Sequence, residues 1–76
     1  MTIYSNLNGD SGISEYDIGT DYIVVHFKTG RERHYRYDNA TTGEAQVEEI
    51  KRLARQGVGL NSYINTFIKG NFASKW

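Results

Sequence analysis

Residues 27–37 read Phe-Lys-Thr-Gly-Arg-Glu-Arg-His-Tyr-Arg-Tyr, and this stretch decides the fold. Apolar and polar side chains alternate over residues 22–27 and again over residues 33–37, which is the period of a half-buried β-strand. Thr29-Gly30 lies between the two runs and is a turn signal. The sequence therefore predicts a β-hairpin.

The register of this hairpin follows from which side chains share a face. A two-residue loop at Thr29-Gly30 would set Phe27 opposite Glu32 and put a carboxylate on the apolar face. A three-residue loop, 29–31, sets Phe27 opposite Arg33 instead. The apolar residues of the two strands then match, Val25 with Tyr35 and Ile23 with Tyr37. Because a slip of one residue exchanges the faces of a whole strand, we predict the three-residue loop, with Gly30 free to take a positive φ.

A further strand and a helix flank the hairpin. Residues 11–18 are typical of a strand, and the spacing of Ile13 and Tyr16 indicates a β-bulge between them. With short turns, the three strands form an antiparallel meander. After the sheet, Thr41 and Glu44 have the spacing of a capping box that starts a helix. Gly57 is a typical residue to end it.

A second helix is predicted from about residue 60 or 61. One apolar stripe marks it, formed by Leu60, Ile64, Phe67, Ile68 and Phe72. Helices that bury a single stripe pack on an apolar surface, and the hairpin offers one face. We predict an α+β fold: a three-stranded antiparallel β-meander with two C-terminal helices packed on one face. The domain covers 1–76, with an irregular N-terminus (1–8) and a C-terminal tail (73–76). Whether Trp76 packs on the core is left open.

Composition narrows the class of protein. The chain has 76 residues and no cysteine, so it has neither a disulfide framework nor a thiolate metal site. Its longest apolar run, Ile23-Val24-Val25, is far too short to span a membrane. The first six residues have neither the basic nor the apolar region of a signal peptide. We therefore expect a cytoplasmic protein.

The charges are segregated although the formal net charge is zero. The charged side chains of residues 1–25 and 38–50 are all acidic. Those of residues 51–76 are all basic, and those of the hairpin are mostly basic. Such blocks can steer a charged partner toward one surface. The favoured alternative is that they are solvated surface with no partner, as charge blocks in single domains often are.

Two motifs are weighed and set aside. Residues 9–12, Gly-Asp-Ser-Gly, match the tetrapeptide around the nucleophile of chymotrypsin-like proteases, but no histidine precedes Gly9 to act as the base. Asp10 and Ser11 more simply cap a turn. His26 and His34 oppose each other in the predicted register, but a metal site needs a third or fourth ligand. We therefore predict no metal, no cofactor and no enzymatic activity.

Two other features suggest binding. Gly57, Gly59 and Asn61 surround a helix entry whose free amides could attract an anion, although a helix stop at Gly57 followed by an Asn61 cap is the favoured explanation. Tyr35-Arg36-Tyr37 interleaves rings with a guanidinium, a pattern suited to unpaired bases. The strand pattern favours the alternative, in which both rings belong to the core while their hydroxyls and Arg36 stay available.

The order of these motifs resembles the KTSC domain, named for C-terminal copies in lysyl-tRNA synthetases and also found as small bacterial and phage proteins. The resemblance covers about residues 9–68. It rests on Ile13, Tyr16, Val25, Phe27, Lys28, Gly30, Tyr35, Tyr37, Gly57, Leu60, Asn61 and Ile64. The hairpin is longer than in common members, and Asn65 stands where many carry arginine. The resemblance implies an α+β module for which RNA binding is suggested.

Two functions follow as expectations for a non-enzymatic binding module. The first is binding of nucleic acid, RNA or another single strand in particular. Its candidate residues are Arg33, Tyr35, Arg36, Tyr37, Lys51, Arg52 and Arg55, with Tyr22 as a further stacking residue. The second is a protein-interaction or ligand-sequestering module, such as a phage accessory protein. Zero net charge favours the second, because dedicated nucleic-acid domains are usually basic. The oligomeric state is left open.

Overall fold

The computed structural model describes residues 2–7, 9 and 11–76. The described residues form a five-stranded antiparallel sheet in the order β1-β2-β3-β4-β5. In chain order the elements are β1 (Thr2–Ile3), β2 (Ile13–Ile18), β3 (Tyr22–Phe27), β4 (His34–Asp38), α1 (Glu44–Gln56), α2 (Leu60–Tyr63), a π-helical segment (Ile64–Ile68) and β5 (Ser74–Lys75). The α+β class and the antiparallel sheet agree with the prediction, but the predicted meander lacked two strands.

The hairpin has the predicted register. Val25 lies opposite Tyr35 and Ile23 opposite Tyr37, and the Phe27 amide donates to the Arg33 carbonyl over 2.7 Å. The bulge of β2 is present as well, since the pairing with β3 shifts between Ile13 and Glu15. Gly30 takes a φ of 110°, a conformation that few other residues adopt.

Both edges of the meander are covered by short strands, which corrects the predicted irregular N-terminus (1–8) and C-terminal tail (73–76). Strand β1 pairs with β2, and β5 pairs with β4. The Trp76 amide and carbonyl extend this pairing by exchanging 2.9 Å hydrogen bonds with His34. An edge strand presents unpaired backbone groups, and these two segments satisfy some of them. Of the two predicted turn residues, Ser11 accepts a hydrogen bond from the Ile13 amide through its Oγ. Asp10 lies outside the described residues.

Helix α1 begins later than the capping box predicts. The Thr41 amide bonds Asp38 Oδ1 at 2.8 Å, so the chain is still turning away from the sheet at Thr41. Gly43, at φ 104°, directly precedes the helix, and no described side chain caps it. The predicted capping box is therefore wrong. The end of α1 agrees with the prediction, because Gly57 is left-handed and its amide bonds the Leu53 carbonyl.

The second helix changes its winding after one turn. It is α-helical up to Tyr63 and π-helical from Ile64 to Ile68. Because a π-helix has more residues in each turn, Phe67 is carried off the predicted stripe and is 63% exposed. Gly59, not Asn61, directly precedes this helix, so the predicted Asn61 cap is also wrong.

The core lies between one face of the sheet and the helices. Its buried residues are Tyr4, Ile13, Tyr16, Ile23, Val25, Tyr37, Val47, Ile50, Leu53, Ala54, Leu60, Ile64 and Ile68. We call this side of the sheet the inner face and the opposite side the outer face. Within the described ranges, no helix has the length and hydrophobicity that crossing a membrane would require.

Candidate functional site

The arginines predicted to contact phosphate in the hairpin lie on different surfaces. Arg33 is exposed near the hairpin tip, where its Nε donates to the Gly30 carbonyl at 3.0 Å. Arg36 lies on the outer face, with its guanidinium 4.1 Å from the centroid of the Tyr22 ring and its Nε 3.6 Å from Asp38 Oδ2. These two cations do not form one patch.

Tyr35 and Tyr37 both lie on the inner face but in different environments. Tyr37 is 1% exposed and forms part of the core, and burial raises the pKa of its hydroxyl above the usual value. Tyr35 is half-buried between Phe27 and Phe72, at 5.3 and 5.2 Å between ring centroids. Of the two rings, Tyr35 is the one with substantial surface left for a ligand.

The basic residues of α1 are divided between structure and solvent. Lys51 is 4% exposed, and its ammonium donates to the carbonyls of Gly19 and Thr20 at 2.9 and 3.1 Å. This contact ties α1 to the turn between β2 and β3, so we leave Lys51 out of the proposed site. Arg52 and Arg55 are exposed.

Arg52 is held by a neighbour on its own helix. Its guanidinium makes a bidentate contact with Glu49, with distances of 2.9 and 2.6 Å, and this bond holds the pKa of the carboxyl below its usual value. The pair is exposed, where such contacts add little to stability. Arg52 also donates to Gln56 Oε1 at 2.9 Å, so its charge is already shared along α1.

The predicted anion site is a narrow cleft of about 100 Å³. Gly57, Gly59 and Asn61 line it together with Tyr4. The Leu60 amide, at the helix entry, already points to the Tyr4 hydroxyl at 3.4 Å. The first amide of the helix is thus directed to a partner within the chain, which weakens the cleft as an anion site.

A larger groove of about 540 Å³ lies between the hairpin and the π-helical segment. Phe27, Tyr35 and Phe72 give it an aromatic floor, in which neighbouring rings meet edge to face. Ile64 and Asn65 contribute one wall from the π-helical segment. This volume lies in the range of about 300–1,000 Å³ that is typical of small-ligand sites.

The rim of the groove is mostly cationic. Arg31, Lys69 and Lys75 line it together with the single acid Glu32, whose Oε1 is 3.6 Å from Lys75 Nζ. Lys75 also lies over the Phe72 ring, at 5.4 Å from its centroid. The groove therefore combines apolar rings with positive charge, an arrangement that suits an anion carrying a planar or apolar group. We call it the aromatic groove.

Sequence reasoning found the floor of the aromatic groove but missed its rim. Tyr35 was a predicted stacking residue, whereas Arg31, Lys69 and Lys75 were not among the candidates. A partial signal existed, because Lys69 directly follows Ile68 of the apolar stripe and Arg31 belongs to the hairpin loop. Only the fold brings these three segments together.

On the outer face, His26 and His34 form the predicted cross-strand pair. Their ring centroids are 4.4 Å apart, and His26 Nε2 lies 3.2 Å from Asp17 Oδ2. The part of the chain that the structure describes contains no cluster of three or more His, Cys, Asp or Glu side chains suited to a metal ion.

Zinc is expected to leave the melting temperature unchanged. A ligand raises this temperature only if it prefers the folded state, and two imidazoles without a further ligand hold zinc weakly. The measurement is thermal unfolding with increasing zinc, with a His26→Ala/His34→Ala variant as control. A zinc-dependent rise in the parent that the double variant lacks would contradict this prediction.

Comparison with known proteins adds no relative. No protein-family model matches the chain, and neither the curated proteins nor the solved structures contain a significant match.

Proposed function

We propose that this chain is a cytoplasmic, non-enzymatic module that binds single-stranded nucleic acid, RNA in particular, in the aromatic groove. The observation that carries the proposal is the rim of Arg31, Lys69 and Lys75 around a floor of aromatic rings. The resemblance of the motif order to the KTSC domain supports the same function.

The chemistry of a single strand matches both parts of the groove. Unpaired bases have apolar faces that stack on aromatic side chains, and their phosphates are neutralised by lysine and arginine. Tyr35 is half-buried in the floor, so it is held in place while part of its ring stays accessible. In a duplex the bases are already stacked on each other, so the floor would be left without a partner.

The zero net charge of the chain favours a different partner, a protein segment with acidic and apolar side chains. Such a segment could use the same groove. The two functions differ in their dependence on salt and on strandedness, and nucleic-acid binding is therefore tested by varying both.

Binding of single-stranded RNA is expected to weaken as salt is raised, with a log–log slope of about −2. This value assumes three cations and roughly 0.7 per neutralised phosphate for a single strand. The measurement is fluorescence anisotropy of a labelled single-stranded RNA over a salt series, with the matching duplex as control. The duplex is expected to bind more weakly at every salt concentration.

Two results would contradict the proposal. One is binding of the single strand no tighter than about millimolar at low salt, where electrostatic attraction is strongest. The other is equal affinity for duplex and single strand, since the aromatic floor would then contribute nothing. The first result would leave the protein-interaction function, whereas the second would mean that nucleic acid binds without using the aromatic floor.

A further inference from the structure

The outer face of the sheet carries a continuous row of side chains across all the described strands. Pairing between strands places Ile3 beside Glu15, Glu15 beside His26, and His26 beside His34. Trp76 completes the row, because its ring stacks on His34 at 5.3 Å with only 10° between the planes. The row begins and ends with an exposed apolar residue, Ile3 at 74% and Trp76 at 52% exposure.

A second row runs parallel to the first. Asp17 lies opposite Val24, and Val24 opposite Arg36. The Asp17 and Arg36 side chains are 38% and 34% exposed, so both can be reached from outside the molecule. In both rows the acidic residue stands on β2 and the basic residue on β4, with β3 between them.

This arrangement is complementary to itself. Consider a two-fold axis that lies above the outer face and runs parallel to β3. It would place β2 of one copy over β4 of the other, so each row would face the same row of the second copy in reversed order. Asp17 would then meet the second copy's Arg36, and Glu15 the second copy's His34. Ile3 would meet the second copy's Trp76 at both ends. We propose that the outer face is the interface of a symmetric homodimer.

Three features favour a second copy over another partner. In both rows the acidic position has a basic counterpart at the symmetry-related position, as a two-fold interface requires, while Asp38, a further acid on this face, lies 3.6 Å from Arg36 of its own chain. The two exposed apolar residues of the row are also brought together by the same rotation. Finally, the formal net charge is zero, so no overall repulsion opposes association.

The size of the face indicates a weak dimer. Strands lie about 4.8 Å apart, so five strands span roughly 19 Å. A six-residue strand is roughly 20 Å long at about 3.3 Å per residue, so the face covers at most about 400 Å². This area is smaller than the ~800 Å² that each partner buries in a stable complex. We therefore expect a weak and transient dimer, with a dissociation constant between about 1 µM and 1 mM.

Sedimentation equilibrium of the full chain over this concentration range tests the proposal. We expect the apparent mass to rise from monomer toward dimer. The emission of Trp76, the only tryptophan, should shift to shorter wavelength over the same range as its ring leaves water. A monomer at all concentrations would overturn the proposal.

Charge exchange tests the geometry of the interface. Asp17→Lys and Arg36→Glu each place like charges opposite one another twice in the dimer, and each should weaken association about tenfold or more. The double variant Asp17→Lys/Arg36→Glu restores opposite charges and should regain much of the loss. Melting temperatures check that the variants fold. If the double variant associates as weakly as the more weakly associating single variant, this geometry is wrong.

A matched pair of truncations locates the interface. Trp76→Ala removes an exposed ring from the outer face, and Phe67→Ala removes an exposed ring from the π-helical segment, which packs on the inner side. Only Trp76→Ala should weaken the dimer. Equal loss in both variants would place the contact elsewhere. The aromatic groove opens on the inner side, so RNA binding can fail without affecting these results.

Discussion

Tyr37→Ala is expected to lower the free energy of unfolding by about 3–5 kcal/mol, as for other large buried rings. Tyr37 is 1% exposed, lies opposite Ile23 in the sheet and belongs to the buried cluster shared with both helices. A domain of this size has a total stability of roughly 4–11 kcal/mol, at about 0.05–0.15 kcal/mol per residue. The variant would therefore be close to unfolding. Urea denaturation followed by circular dichroism measures the change.

Phe27→Ala is the matched control for this prediction. From the strand pattern alone, Phe27→Ala would also be expected to lower the free energy of unfolding by about 3–5 kcal/mol, as for a fully buried ring. In the structure it is only half-buried and lines the open aromatic groove, so we expect about half of that loss. If Phe27→Ala destabilised the protein more than Tyr37→Ala, the core would be centred on the hairpin tip and not on β3 and β4.

The central strands could be predicted because every local signal agrees with the tertiary packing. The apolar match of Val25 with Tyr35 and of Ile23 with Tyr37 admits one register, and the structure has it. The edge strands could not be predicted in the same way. β1 and β5 have two residues each, too few for any periodicity, and they form because the neighbouring strand offers unpaired backbone groups.

The start of α1 was predicted wrongly because a competing contact occupies the amide that the capping box would use. Thr41 and Glu44 have the capping-box spacing, but the Asp38 carboxylate binds the Thr41 amide first, at 2.8 Å. The exposed position of Phe67 has a different cause. The stripe assumed regular α-helical winding, and nothing in the local sequence indicates a change to π-helical winding at Ile64.

The candidate site was predicted in part, because charge alone does not tell where a side chain ends. Lys51 has the same charge as its exposed neighbours, yet its ammonium is directed to two carbonyls of a distant turn. Arg31, Lys69 and Lys75 belong to three separate segments, and their convergence depends on the hairpin, the second helix and β5 together. Such convergence is a property of the fold that no short motif contains.

Two pairs of charge reversals test whether the proposed RNA binding takes place in the aromatic groove. Arg31→Glu/Lys69→Glu alters the rim of the aromatic groove, whereas Arg52→Glu/Arg55→Glu makes the same change of net charge on α1. At about 0.1 M salt the loss of one phosphate contact lowers the affinity roughly fivefold, since affinity falls as the salt concentration to the power of about 0.7 per contact. We expect the groove variant to bind single-stranded RNA about 25-fold more weakly, or worse.

The α1 variant carries the same net charge, so it controls for repulsion by the molecule as a whole. It should lose only a fewfold in affinity, because α1 does not line the groove. Anisotropy titrations of the parent and both variants with one labelled RNA measure the difference, after thermal unfolding has shown that both variants fold. A larger loss in the α1 variant would move the binding surface to Arg52 and Arg55, where the sequence alone had placed part of it. Equal losses would mean that RNA responds only to net charge, and the aromatic groove would no longer be its site.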